Sequence, residues 1–311
     1  MKKWMNELQD GERVWLDVLL TEVNRGITNK GAPYLNFVIQ DKTGTMDAKY
    51  WSVSEEELHH YKAGMYVKIK GDIINYKDQL QMRVLMLQDD SEQEHDVRDY
   101  VRSASISKQE MKQKVEAYLA AIQDQDIKRI CEAIYSEHER DFYDYPAASK
   151  NHHDFVGGLS MHVLGMMDLA QQICRQYPLL NQDLLIAGVF LHDIGKLTEL
   201  SGPIATEYTT EGKLLGHISI VQAIISQTAA RLHIQSEAAV LLRHMVLSHH
   251  GEYEYGSPVL PMLPEAEVLS LIDDLDARMN TLEKALDRVK PGEFTSRIFA
   301  MENRSFYKAK K

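Results

Sequence analysis

Nine of the 13 histidines fall between His152 and His250. Histidine is the commonest metal ligand and the usual acid or base near neutral pH, so this third of the chain is where chemistry is expected. At its centre His192-Asp193 closes an apolar run, LLIAGVFLHDIGK, with Gly195 placed to stop a helix and Lys196 directly after it. Four further candidates stand apart: His162 in GGLSMHV, His217 in LGHISIV, His249 in LSHHG and Asp273 in LIDDLDA. The successive gaps from His162 are 30, 25, 32 and 24 residues, each a helix plus a loop. Side chains supplied by separate helices can converge in the core of a bundle. Mixed imidazole and carboxylate donors suit Mn, Fe, Zn or similar ions with open positions. Neighbours on a helix diverge by about 100°, so His192 and Asp193 both reach one two-ion centre only if Asp193 lies between the ions.

Two adjacent divalent ions lower the pKa of a shared water and clamp phosphoryl oxygens for in-line attack. Lys196 would then hold a phosphate oxygen, against the plainer role of a cation answering a helix dipole. Several neighbours leave the ligand set open. His250 adjoins His249, Asp274 adjoins Asp273, and Asp276 is a third carboxylate. His153, with His152, precedes GGL and is a candidate for lining the site, although an ordinary loop pair fits as well. His233 and His244 read as structural or exposed.

The elements that must position these residues divide the chain in two. Residues 14–23, 34–40, 45–51, 65–74 and 79–87 are rich in β-branched and aromatic residues and are separated by turn signals such as DKTG, which predicts a five-stranded Greek-key barrel with a helical insert near 54–61. Residues 91–106 read as an acidic linker between a domain over 1–90 and one over 107–311. Ser107-Lys108-Gln109-Glu110 is a capping box. Helical periodicity then predicts helices at 107–123, 126–137, 158–176, 181–194, 213–232, 236–249 and 264–289.

Composition sets limits on function. With 311 residues, 44% apolar, the chain is long enough for about two cored domains. The longest uncharged apolar run, 184–191, is far short of the ~20 residues that span a bilayer. The opening MKKWMNELQDGE lacks a signal-peptide core, and the two cysteines, Cys131 and Cys174, fall in helix-like segments; both point to a cytoplasmic protein with reduced thiols. The net charge of −11 argues against coating nucleic acid through bulk charge. That charge is uneven: residues 11–88 carry ten cations and ten anions, while 111–311 carry 20 against 27.

The order His…His-Asp…His…His…Asp with HDIGK resembles the HD-domain metal-dependent phosphohydrolases over roughly 150–280. The resemblance implies His162, His192, Asp193, His217, His249 and Asp273 as metal ligands, with Asp193 bridging and His250 behind them or facing substrate. The stretches YLNFVIQDKTGTMDAKYW and GMYVKIKGDIINYKDQLQMRV resemble a nucleic-acid-binding OB-fold. There Tyr34 and Trp51 are candidates for base stacking, and Lys49, Lys68, Lys70 and Arg83 for a cationic track. Phe37, in phase with Leu35 and Ile39, belongs to the interior. The expected architecture is therefore a five-stranded OB-fold barrel followed by an all-α HD-domain bundle.

Together with HHDFVGGLSMHV, HHGEYEYGSPVLPMLPEA and LIDDLDARM, this order is similar to the YhaM-type 3′→5′ exoribonucleases through nearly the whole chain. What the family implies is removal of nucleotides from the 3′ end of single-stranded RNA, with single-stranded DNA as a second substrate to consider and Mn²⁺ the favoured ion of two. Two other readings remain open: an HD-type nucleotide or cyclic-dinucleotide phosphohydrolase, and a non-catalytic protein that binds single strands or a replication origin. No membrane partner is expected, and a homo-oligomer is left open.

Overall fold

A computed structural model describes residues 3–28, 31–51, 53–76, 79–101, 106–147, 155–204 and 206–310. The chain forms two units, Met1–Ser103 and Ala104–Lys311.

The first unit is a closed five-stranded barrel of order β1-β2-β3-β5-β4: β1 Arg13–Ile27, β2 Pro33–Asp41, β3 Gly44–Trp51, β4 Tyr66–Tyr76 and β5 Gln79–Asp89. β1 runs four residues past its expected end at 23 because one strand serves two neighbours. Its first half pairs with β4, and from Leu19 onward it pairs with β2, with a bulge between Leu20 and Glu22. The ring closes through a parallel pairing of β3 with β5. Strand alternation sorts the faces. Leu35, Phe37 and Ile39 are fully buried inside, and Tyr34, Asn36 and Val38 lie outside. Gly71 sits where β4 shifts register against β5, and a Cβ there would come 2.6 Å from the Arg83 carbonyl oxygen. The short helix α1, Glu55–His60, carries a full capping box between Ser54 and Glu57.

Residues 91–101 were expected from composition to belong to a linker, but they pack onto the barrel's own unit. Tyr66 stacks on His95 at 4.3 Å, Tyr100 meets both rings edge-on, and Tyr100 is buried. Three rings among acidic residues are enough to dock a segment with no periodic pattern.

The second unit is helical: α2 Lys108–Ala121, α3 Gln125–Phe142, α4 Gly158–Gln176, α5 Gln182–Leu191, α6 Lys196–Glu199, α7 Thr210–Arg231, α8 Ala238–Ser248 and α9 Pro264–Asp287. α5 is its axis. Every residue from Leu184 to Leu191 is buried, as a helix apolar all round must be, and it packs against α3, α4, α8 and α9. Three local expectations need correcting. Ser107 does cap α2 by accepting from the Glu110 N–H, but no reciprocal bond forms, and the Glu110 carboxylate lies 3.1 Å from Lys114 instead. α5 ends at Leu191, earlier than 194, and a separate turn of helix, α6, follows. α7 is broken at Gly216, whose φ of 71° only glycine adopts freely. No described helix is long and apolar enough to cross a membrane.

Candidate metal centre and barrel face

Five helices of the second unit bring their residues to the same place. α4 supplies His162; His192 caps the C-terminus of α5, with Asp193 next; His217 follows the break in α7; His249 caps α8, with His250 next; α9 supplies Asp273. Gly195 has an ordinary right-handed φ of −58°, so it does not stop a helix by a left-handed turn. Its role is steric. A Cβ at 195 would collide with the backbone carbonyl of His217, and the bare glycine lets the Asp193 turn lie against α7.

Asp193 stands between two sets of ligand atoms. Its Oδ2 is 3.3 Å from His192 Nε2 and 3.8 Å from His162 Nε2, while its Oδ1 faces His217 Nε2 at 3.6 Å. Asp273 Oδ1 lies 3.3 Å from His162 Nε2. His162, His192 and Asp193 form one triad and His217, His249 and His250 another, each with ligand atoms within 4.8 Å of one another.

The tautomers are set from outside the centre. Nδ1 of His192 donates to the Val189 carbonyl at 2.8 Å, that of His249 to Val246 at 2.7 Å and that of His250 to Tyr255 at 2.7 Å. His162 Nδ1 donates to Asp276 at 2.6 Å, and His217 Nδ1 to Glu199 at 3.2 Å. These partners can only accept, so Nδ1 carries a proton in each ring and Nε2 is the nitrogen left to ligate, the arrangement of metal-bound imidazoles. The Nε2 atoms of His192, His217 and His249 are buried without a hydrogen-bond partner. One such atom costs about 1–3 kcal/mol, and three around one carboxylate fit a cationic group that all of them can ligate.

Electrostatics fits the same group. Burial opposes ionisation of Asp193, but Lys196, at 2.7 Å, and the neighbouring imidazoles hold its carboxyl well below the usual range. Asp273 is likewise kept ionised against burial, first by its hydrogen bond with His162. Burial also opposes charge on His162, yet hydrogen bonds to Asp273 and Asp276 outweigh it and raise its pKa to about 9, so this imidazole, unlike the other triad's, must release a proton when an ion binds. In the other triad, burial and then His192 push His249 down, and burial and then His217 push His250 down. Ionised carboxylates and neutral imidazoles are the states that bind a divalent ion. Above them opens a cleft of about 400 Å³, lined among others by Lys196, His250, Tyr255 and Asp273.

The barrel's outer face is built differently. Tyr34 and Trp51 are cross-strand partners with ring centroids 4.8 Å apart. Lys49 lies beside Arg83 across the β3–β5 pairing, and both line a groove of about 250 Å³ with Trp51, Ile74 and Tyr76. Arg83 is held by Asp72 at 2.6 Å, which also binds Arg13 at 2.6 Å. Lys68 and Lys70 do not line this groove: Lys68 lies 3.4 Å from Asp90, and Lys70 sits 5.6 Å from the Trp15 ring. The four cations are thus not one continuous track, because carboxylates on the same face interrupt them.

Residues 159–278 match the family model described as the HD domain, and residues 14–89 match that of an OB-fold nucleic acid binding domain. The chain carries an HD domain behind an OB-fold. An HD domain indicates a metal-dependent phosphohydrolase. Among solved structures, the second OB-fold domain of replication protein A from Methanococcus maripaludis is similar at 14% identity, covering 30% of this chain and 100% of that one, with a TM-score of 0.26. The single-stranded DNA binding protein of Thermus aquaticus is similar at 16% identity over 27% of this chain and 42% of that one, with a TM-score of 0.25.

Around the HD-domain centre, the alternatives left by the sequence separate. Asp274 lines the cleft outside both triads, with 67% of its side chain exposed and Arg278 its 3.8 Å neighbour. His250 joins the second triad beside His249. His244 accepts the Met262 N–H at 2.9 Å, outside both triads. His153 and His152 lie outside the described residues. Sequence reasoning gave no role to Glu199, and none beyond a third carboxylate to Asp276. Asp276 had a signal, standing one helical turn after Asp273 on the same face. On the OB-fold, Tyr76 and Trp15 were missed; both alternate out of phase with their strands' buried residues.

Proposed function

We propose that this protein is a divalent-metal-dependent phosphodiesterase that removes nucleotides from the 3′ end of single-stranded RNA, with Mn²⁺ as the favoured ion. The observation that carries the metal chemistry is Asp193, one oxygen toward each triad, ringed by buried imidazole Nε2 atoms that lack partners. His162, His192, Asp193 and Asp273 would hold one ion, and Asp193, His217, His249 and His250 a second. Divalent ions bound there would supply Lewis acidity to the phosphoryl oxygens and acidify the attacking water.

The chain's own residues do the rest. Asp276 and Glu199 orient His162 and His217. Lys196 is almost fully enclosed, with burial opposing its charge but Asp193 outweighing burial and keeping it cationic, so it can meet a phosphate oxygen at the cleft floor. On the barrel, Tyr34 and Trp51 offer a stacking surface and Lys49 an ammonium with no ion pair among the described residues, the combination that binds single strands without reading sequence. The 3′→5′ direction and the preference for RNA rest on the sequence resemblance.

The test is digestion of one single-stranded oligoribonucleotide, labelled at either its 5′ or its 3′ end, with Mn²⁺ and with EDTA. A ladder that shortens stepwise from the 3′ end, and stops with EDTA, is expected. Turnover of free nucleotides or cyclic dinucleotides with intact oligonucleotide would sink the nuclease reading and favour a small-molecule phosphohydrolase.

A further inference from the structure

The cleft over the metal centre has one wall that does not suit a polyanion. α9 presents Glu267, Ser270, Leu271 and Asp274 to it, the i, i+3, i+4, i+7 stripe of a single helix face, and the loop after His250 adds Glu252 and Tyr255. Gly251, at φ 78°, lets that loop lie against α9, where a Cβ would collide with the Ser270 hydroxyl oxygen. Lys196 is the one Lys or Arg among the described residues lining the cleft, and it lies at the Asp193 end. His249, 1% exposed, turns its unpartnered Nε2 into the same end, so this is the end where an ion, and a phosphate on it, would be held.

Glu252 and Glu267 have no ion pair among the described residues. Asp274 has the 3.8 Å contact to Arg278, whose guanidinium is shared with Glu302 at 3.2 Å. A single phosphate therefore fits at the Lys196 end, while a second one farther along the cleft would face three exposed carboxylates with no Lys or Arg among the described residues lining that part. Sugar hydroxyls are the opposite case, since they donate to carboxylates in charge-assisted hydrogen bonds. Leu271 and the Tyr255 ring supply apolar and aromatic surface for a base.

Building on the nuclease reading above, we infer that this cleft is the subsite for the terminal nucleoside, that Glu252, Glu267 and Asp274 take its free sugar hydroxyls, and that the same carboxylates reject a terminal phosphate. The scissile phosphate then lies between the last two nucleosides. Water adds to that phosphorus, the bond to the penultimate 3′-oxygen breaks, and that oxygen takes a proton. A nucleoside 5′-monophosphate leaves, and the shortened chain ends in a new 3′-hydroxyl that the carboxylates can read again.

The experiment uses the full chain with Mn²⁺ and 5′-labelled single-stranded oligoribonucleotides identical except for a 3′-hydroxyl or a 3′-phosphate. The hydroxyl end is expected to shorten at least about tenfold faster, equivalent to ~1.4 kcal/mol, and E267Q and D274N are expected to narrow that ratio while slowing the hydroxyl substrate. Equal rates for the two ends in the unaltered protein, or a ratio unmoved by both variants, would overturn the inference and leave the nuclease reading standing. No shortening of either end, with bis(p-nitrophenyl) phosphate still turned over, would overturn the nuclease reading and this inference with it. Because the first comparison uses the unaltered protein, it decides even if a variant folds poorly.

Discussion

The two candidate sites follow opposite designs. In the helical unit the reactive atoms are buried, their orientations fixed by bonds from outside, and their charges matched within a few ångströms. On the barrel the Trp51 and Tyr76 rings are exposed, 43% and 52% accessible, Tyr34 and Lys49 are half-buried, and carboxylates on the same face bind part of the cationic charge. The difference is that between a site that must hold ions in fixed geometry and one that must accept any base in turn. A buried donor set tolerates almost no change, whereas a stacking surface loses affinity in steps.

That contrast can be broken in order of expected effect. Asp193→Asn removes the charge shared by both triads, so oligonucleotide hydrolysis should fall by roughly 10³-fold while binding measured with the same strand stays nearly unchanged. A matching loss of binding would mean that the centre, and not the barrel, holds the strand. Asp276→Asn keeps the shape but weakens the acceptor behind His162. Metal affinity should drop about 10- to 100-fold, with activity recovered at higher Mn²⁺, and calorimetric titration of the metal reads this directly.

Trp51→Ala should weaken single-strand binding by about 5- to 150-fold, one stacked base at ~1–3 kcal/mol, without changing turnover of a small phosphodiester. The smallest effect belongs to Asp72. Arg13 and Arg83 hold its carboxyl down at about 2 from 3.8, so its contribution to barrel stability is present above 3.8 and lost as pH falls through 2. Asp72→Asn should abolish that acid-side slope in thermal unfolding. It should also free both guanidiniums, steepening the salt dependence of strand binding by about one or two units.

Legibility tracked chemistry and periodicity. His192, Asp193 and His217 stood out because rare side chains recurred at helix-plus-loop spacing, and Leu35, Phe37 and Ile39 because strands alternate. Glu199 was silent: an acid in a four-residue helix has no period to betray its burial. Asp276 was masked by Asp273 and Asp274, since three acids on one helix usually mean a wet face. The docking of 91–101 depends on Tyr66, 34 residues before Tyr100, a pairing that no local pattern encodes. Gly195 was noticed for the wrong reason, because a glycine needed for closeness looks like a glycine needed for a turn.

The ring of strands has one short clasp. β4 and β5 are paired along nearly their whole length, but among the described residues β3 and β5 pair at just 47–50 and 81–84. A closed ring breathes where the fewest bonds must part, so amide exchange should be fastest at that clasp. Lys49 and Arg83 sit on it, and a strand lying across both would act as a splint that slows the opening.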